Sequence, residues 1–380
     1  MTLHSKLPDV GVTIFTVMSK LAADHQAINL SQGFPDFETH PDLIGLVDEA
    51  MRRGLNQYAP MQGVPALREQ IALKIQLLYD ARIDPETEVT VTSGATEALY
   101  AAITAVVRPG DEVIVVEPAY DAYAPAIQLN QGVPVFVPMT FPGYRIDWER
   151  VEDAITPKTR LVILNSPHNP TGTALGAEDM AALEQIVARH DLLILSDEVY
   201  EHIIFDGRRH ESMLRYPQLA QRSFVIGSFG KTYHTTGWKI GYCVAPRPLS
   251  VEFQKVHQFL TFASSTPVQH AYARFMERRD LYTGLGAFYQ AKRDKFLQLI
   301  RDSRFTPLPC AGTYFQMMGY AEISNEADVD FARRMTMEYG VAAIPPSVFY
   351  HDRQDHKVLR FCFAKQDETL AQAAEKLCRI

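Results

Sequence analysis

Short runs of aliphatic and β-branched residues punctuate the chain: Glu88–Thr92 (EVTVT), Val113–Val116 (VIVV), Val133–Val137 (VPVFV), Leu161–Leu164 (LVIL), Leu192–Leu195 (LLIL) and Phe224–Ile226 (FVI). Most are apolar throughout rather than alternating, which suits strands covered on both faces. Between them, segments such as Glu97–Val107 and Met180–His190 carry apolar residues at helical spacing. The alternation predicts an α/β unit over 41–280, a largely parallel sheet with helical crossovers. After Asp280 the rhythm changes: Leu281–Asp302 reads as one long helix, and Tyr314–Met318 and Val358–Phe363 as strands of a smaller α+β unit. The first forty residues hold no βαβ unit and are assigned to this smaller unit, giving domains of 41–280 and of 1–40 with 281–380.

At 380 residues and 47% hydrophobic content, the chain can bury a core without disulfides or a structural metal. Its 45 acidic residues exceed 37 basic ones, for a net charge of −8, which disfavours nucleic acid as a partner. The four cysteines, Cys243, Cys310, Cys362 and Cys378, form no CxxC pair. That excludes zinc-ribbon and thioredoxin-like readings; thiols in a reducing compartment, with no metal site, are expected. The opening MTLHSKLPDVGVTIF lacks the apolar stretch of a secretory leader. The longest apolar run, Ala98–Val107, is interrupted by Thr104, too short to span a membrane. The expectation is a cytoplasmic protein without membrane or nucleic-acid partners.

In an open α/β sheet, ligands bind beyond the carboxyl ends of the strands, so the residues just after each run carry the chemistry. After EVTVT comes Ser93-Gly94-Ala95-Thr96-Glu97. Small residues ahead of a helix let backbone N–H groups approach a phosphate, though Ser93 or Thr96 could equally be an ordinary helix cap. After LVIL comes Asn165-Ser166-Pro167-His168-Asn169-Pro170-Thr171-Gly172, a stiff loop or a generic turn in which Asn169 offers both donor and acceptor. After LLIL comes Ser196-Asp197-Glu198-Val199-Tyr200. A carboxylate at a buried strand end is costly unless it meets a cation or donors; the alternative is a helix cap. After FVI comes Gly227-Ser228-Phe229-Gly230-Lys231-Thr232, with Lys239 further on. Gly-Lys-Thr invites a nucleotide-binding P-loop, but that motif needs glycine at 225, which is valine. No strand end carries GxGxxG, which removes a nicotinamide dehydrogenase. Together the turns gather a phosphate cradle (Gly94, Ala95, Thr96, Ser228, Lys239), a carboxylate, a phenol, an amide and an amine. That is the set pyridoxal 5′-phosphate needs.

With these residues in place, the sequence resembles the fold-type I, class I aminotransferases that use pyridoxal phosphate, and within them the kynurenine, glutamine and methionine branch. The resemblance runs from Ser31-Gln32-Gly33-Phe34-Pro35-Asp36-Phe37 through Gln57-Tyr58, the Asn169-Pro170-Thr171-Gly172 loop and Ser228–Thr232 to Leu359-Arg360-Phe361-Cys362-Phe363. It implies a mostly parallel seven-stranded sheet flanked by helices, with a smaller α+β domain beside it. By the same resemblance Lys231 would hold the cofactor as an imine, and Asp197 would pair with its pyridine nitrogen. Asn169 and Tyr200 would hydrogen-bond its phenolate oxygen, and Tyr120 would stack on its ring. Gly94, Ala95, Thr96, Ser228 and Lys239 would hold the phosphate, and Tyr58 would reach in from a second subunit, implying a homodimer with shared sites. Arg360 and Asn169, with the backbone of Gly33, would clamp the substrate carboxylate. Lys239 departs from many class I enzymes, which have arginine there; lysine supplies a point charge rather than a bidentate fork.

Phe15, Tyr123 and Phe262 are candidate pocket residues by analogy, suggesting a neutral apolar or aromatic guest with methionine favoured over aromatic amino acids, kynurenine and glutamine. Two rivals are β-elimination from cysteine S-conjugates on the same scaffold and a non-enzymatic sensor domain of a transcription regulator. The second is disfavoured because only about thirty residues precede the Ser31–Phe37 motif, too few for a DNA-binding domain.

Overall fold

The computed structural model describes residues 4–380; positions 1–3 of the opening stretch, part of the 1–40 segment, lie outside the described residues. Seven strands form the main sheet: β1 (Val89–Thr92), β2 (Glu112–Glu117), β3 (Val133–Pro138), β4 (Thr159–Asn165), β5 (Leu193–Asp197), β6 (Ser223–Ser228) and β7 (Gly241–Val244). Their order is β1-β7-β6-β5-β4-β2-β3, parallel except for β7, which runs against both neighbours. Six of the seven coincide with the apolar runs of the sequence. The seventh, GYCV, follows β6 too closely for a helical crossover, and its short return forces the antiparallel sense.

Helices cover both faces. On one, Ala98, Ile103 and Phe253 from the helices Ala95–Val106 and Arg247–Leu260 pack on Val113, Leu195 and Phe224. On the other, Pro65–Tyr79, Ala177–Arg189 and Thr266–Phe275 supply Ile71, Leu183 and Tyr272 against Ile114, Val162 and Ile194. A separate core gathers Met18 and Leu30 with Tyr289, Phe296, Phe331 and Leu370. It surrounds three antiparallel strands, β8 (Thr306–Pro307), β9 (Phe315–Gly319) and β10 (Val358–Cys362), in the order β10-β9-β8. Ile28–Asn29 pairs with Val341–Ala342, which fixes the N-terminal segment to the C-terminal one. The helix expected over 281–302 is two helices, Asp280–Thr283 and Leu285–Leu299. They break at Gly284, where a Cβ would lie 3.0 Å from the Asp280 carbonyl. No helix among the described residues is long and apolar enough to cross a membrane.

Register decides what meets at the sheet edge. Asn165 pairs with Asp197, Asp197 with Ile226, and Ser228 with Gly241, which also pairs with Thr92. Because β7 is antiparallel, its first residue lies at the carboxyl end of the others. Lys239, two residues before it, therefore meets Gly94, two residues after Thr92.

Candidate active site

A cavity of about 230 Å³ opens at this edge, lined by Gly94, Ala95, Thr96, Tyr120, Asn169, Asp197, Tyr200, Ser228, Lys231 and Lys239 among others. Of the residues expected to bind cofactor or substrate carboxylate, three lie off this lining, Gly33, Arg360 and Tyr58, and so do the three candidate pocket residues Phe15, Tyr123 and Phe262.

At one end the helix Ala95–Val106 begins directly after Gly94, which has φ of +83° and no side-chain cap, so neither Ser93 nor Thr96 caps it. Its first N–H groups stay free for an anion. Lys239 adopts φ of +56°, a conformation costing an ordinary residue about 1 kcal/mol. In that pose its Nζ lies 3.3 Å from where a Cβ on Gly94 would be. Any side chain at 94 would fill this space beside the ammonium, so the glycine keeps a cationic cradle open.

At the floor, Asp197 ends β5 and is 4% exposed. The hydroxyl of Tyr123 donates to Oδ2 at 2.6 Å, and the Val199 amide reaches Oδ1 at 3.4 Å. Asp197 caps no helix; turns follow it. Burial pushes its carboxyl up to about 6 despite the Tyr123 bond. Such a carboxylate is short of a cation, and a protonated ring nitrogen supplies one. Asn165 connects this floor to the loop above: its Nδ2 donates to the Asp197 carbonyl at 2.8 Å, and its Oδ1 accepts from the Asn169 amide at 2.8 Å.

Lys231 lies in the single helical turn Phe229–Thr232 after β6. Its Nζ donates to the Tyr314 hydroxyl at 3.1 Å and the Gly33 carbonyl at 3.3 Å, and sits 5.6 Å from the Tyr200 ring centroid. Tyr314 itself donates to the Gly33 carbonyl at 2.7 Å. Burial lowers the amine to about 8, within reach of the neutral form needed for attack on a carbonyl. Above it, Arg360 is fully buried, with Nη1 donating to Asn169 Oδ1 at 2.7 Å and Nη2 to the Ser31 carbonyl at 2.8 Å. Its Nε has no partner, and its Cζ stands 3.9 Å from the Phe315 ring centroid and 5.3 Å from that of Phe15. A buried guanidinium holding two neutral acceptors and no carboxylate is a ready anion clamp.

Two candidate pocket residues sit elsewhere than expected. Tyr123 is no pocket wall; its ring is buried and its hydroxyl serves Asp197. Its position three residues after Tyr120 was the available signal. Phe262 is 43% exposed and stands edge-on to Tyr58, itself 85% exposed, at 5.4 Å between centroids; neither lines this chain's own cavity. Tyr314 and Asn165 were visible only as a strand start and a loop residue, because their contacts join segments far apart in sequence.

The residues fit pyridoxal phosphate: an open cationic cradle, a buried carboxyl lacking a cation and an amine of lowered basicity share one cavity. Comparison with known proteins agrees. Residues 25–377 match the model of the family "Aminotransferase class I and II". The methionine aminotransferase of Escherichia coli K12 is 52% identical over 375 residues, covering 98% of this chain and 97% of that protein. A kynurenine–oxoglutarate transaminase of Dictyostelium discoideum is 34% identical, covering 97% and 94%. A crystal structure of an Escherichia coli protein with a methionine aminotransferase function superposes with a TM-score of 0.98 at 51% identity, covering all of both chains. The chain therefore belongs to the class I and II aminotransferase family, and is a fold-type I, pyridoxal-phosphate-dependent transaminase acting on amino acids and 2-oxo acids.

Proposed function

We propose that the chain moves the amino group of a neutral apolar amino acid, methionine foremost, to a 2-oxo acid, using the residues around the Lys231 cavity. The observation that carries this reading is the convergence of Lys231, Asp197 and the Arg360–Asn169 pair at one end of the sheet, with the rings of Phe15, Phe315 and Phe349 around the guanidinium. When bound, pyridoxal phosphate supplies an aldehyde that exchanges with amines and a ring that withdraws the electron pair left when the substrate Cα–H bond breaks.

The chain's own residues do the rest. Gly94, Ala95, Thr96, Ser228 and Lys239 would hold the phosphate through backbone donors, a hydroxyl and one ammonium. Asp197, oriented by Tyr123, would keep a proton on the ring nitrogen, and Tyr120 would cover the ring. Asn169 and Tyr200 would donate to the phenolate oxygen. Arg360 receives the substrate carboxylate, with Asn169 and the Gly33 backbone beside it, and so places the Cα–H bond near Lys231. Lys231 would anchor the cofactor, and once free its amine would take the Cα proton as general base and deliver it as general acid to the carbon that carried the aldehyde.

Among the described residues lining the cavity the cations are Lys231 and Lys239. Both have tasks, and neither they nor Arg360 is free to grip a distal carboxylate. That supports a neutral side chain, as does the identity to a methionine aminotransferase.

Tyr58, Phe259 and Phe262, exposed at 85%, 86% and 43%, support a homodimer in which Tyr58 completes the partner's phosphate site, since a clustered apolar patch of this kind marks an interface. The two core clusters flanking the main sheet and the third one beside them support domains of 41–280 and of 1–40 with 281–380, with Tyr200, Ile203 and Phe205 joining the third cluster and Met317 and Val358 the first along the seam. Four free cysteines, three of them buried, support a cytoplasmic setting.

The test is an absorption titration of the holoenzyme with methionine. The band of the lysine-bound cofactor should fall and return on adding a 2-oxo acid. No response to methionine beside a full response to glutamate would overturn the substrate assignment. Stoichiometric pyruvate release from a cysteine S-conjugate without a 2-oxo acid acceptor would indicate β-elimination instead.

A further inference from the structure

One buried titratable pair lies outside the chemistry just described. His257, in the helix Arg247–Leu260, has no exposed surface, and Glu97, in the first turn of the helix behind Gly94, is 9% exposed. The Nδ1 atom of His257 is 2.9 Å from Glu97 Oε1, and Nε2 is 3.0 Å from the Met61 carbonyl oxygen. A carbonyl only accepts, so Nε2 carries a hydrogen. Nδ1 faces both Glu97 Oε1 and, at 3.3 Å, the Thr261 hydroxyl.

This pair ties together three pieces of chain. The other Glu97 oxygen accepts the Ser93 amide at 3.0 Å, at the turn that opens into the phosphate cradle. Met61 lies in the loop that carries Tyr58, and that loop is also fixed by Thr266 Oγ1 on the Gln57 carbonyl at 2.6 Å and by the Val91 amide on the Gln62 carbonyl at 2.9 Å. The His257 carbonyl accepts the amides of Thr261 and Phe262, both at 3.1 Å, closing the turn that exposes Phe259 and sets Phe262 against Tyr58.

We propose that His257 and Glu97 are positioning residues that couple a protomer's own phosphate cradle to the Tyr58 it lends to its partner, and so set the partner site's affinity for cofactor. This rests on the shared-site dimer proposed above. A phosphate at the start of the helix Ala95–Val106 would rest against the same turn that Glu97 holds through the Ser93 amide. Glu97, His257 and the half-buried Met61 are linked by hydrogen bonds of 2.9 and 3.0 Å through a histidine with no exposed surface, so a displacement at one end is passed on rather than taken up by solvent. The exposed Tyr58 ring is thus steered from the buried side of its loop, through Met61.

The test uses hybrid dimers with two distinguishable tags, one chain carrying Lys231→Ala. Borohydride then fixes cofactor only on the other chain, and the fixed adduct is quantified while cofactor is titrated into the apo hybrid. Tyr58→Phe placed in the Lys231→Ala chain should raise the half-saturating concentration at the other chain, on the order of tenfold for one lost bond to a charged group. His257→Phe in the same chain should raise it severalfold although no altered residue touches that site, and His257→Gln, which keeps a donor for the Met61 carbonyl, should recover most of the loss. Should the His257→Phe chain fail to assemble, Glu97→Gln, of equal shape, gives the same comparison. A Tyr58→Phe effect with unchanged half-saturation in the His257 or Glu97 variants overturns the coupling and leaves the dimer standing. Absence of the Tyr58→Phe effect, or a monomer by sedimentation, overturns both.

Discussion

Replacing Asp197 by asparagine should stabilise the empty protein while destroying its turnover. The buried carboxyl titrates near 6 in the folded protein against 3.8 for an ordinary aspartate. Between those values the folded chain binds the extra proton, so stability falls as pH rises through that window. At pH 7.5 the full penalty is present: roughly 2 units, or about 3 kcal/mol at most. Below about pH 4 it vanishes. Asparagine keeps the acceptor for the Tyr123 hydroxyl and carries no charge; its amide meets the Val199 N–H, a donor facing a donor, which returns part of the gain. A net gain of about 2 kcal/mol, divided by an unfolding entropy of about 0.8 kcal/mol/K for a chain of this length, raises Tm by about 2–3 °C. The assay is thermal unfolding of the apo forms of both proteins at pH 4.5 and 7.5, with turnover measured on the reconstituted enzymes. The variant should melt higher than wild type at pH 7.5 and match it more closely at pH 4.5, and should lose most of its turnover. A melting difference between the two proteins that does not change with pH would refute the assignment of a strained carboxylate, and wild-type turnover would refute its role toward the ring nitrogen.

Lys231, lowered to about 8, should be about half neutral at pH 8, against well under 1% for an ordinary lysine. An amine-directed reagent applied to the apo protein at that pH should label it ahead of the other lysines by peptide mapping, and Lys231→Ala should yield no borohydride-fixed cofactor; an undiminished adduct would move the attachment elsewhere. Arg360→Lys should raise KM for amino acid and 2-oxo acid together by about tenfold, because the ammonium cannot hold Asn169, the Ser31 carbonyl and a carboxylate at once. Steady-state kinetics with both substrates checks this, and an effect on neither would remove Arg360 from the carboxylate site.

Where strands are covered on both faces, their apolar runs announce themselves, and six of the seven were readable with boundaries displaced by a residue or two. The strand Gly241–Val244 was not, since four residues opening on a glycine carry too little pattern. Its sense, set by the shortness of the return from β6, is what brings Lys239 to Gly94. The break at Gly284 likewise leaves no mark on the periodicity.

The sequence by itself determined the proposed reacting groups: an amine at 231, a carboxyl at 197, an amide at 169 and a guanidinium at 360, each placed where a strand ends or within a strand, because covalent order fixes which residue comes after which strand. Tertiary structure alone decided their working state. Tyr123 orients Asp197, Tyr314 and Gly33 hold Lys231, and Asn165 ties the floor to the carboxylate clamp, all through contacts between segments distant in the chain. The shifts of Asp197 to about 6 and Lys231 to about 8 come chiefly from desolvation. Loss of water around a charge is a property of the surrounding volume, which no local stretch of sequence contains.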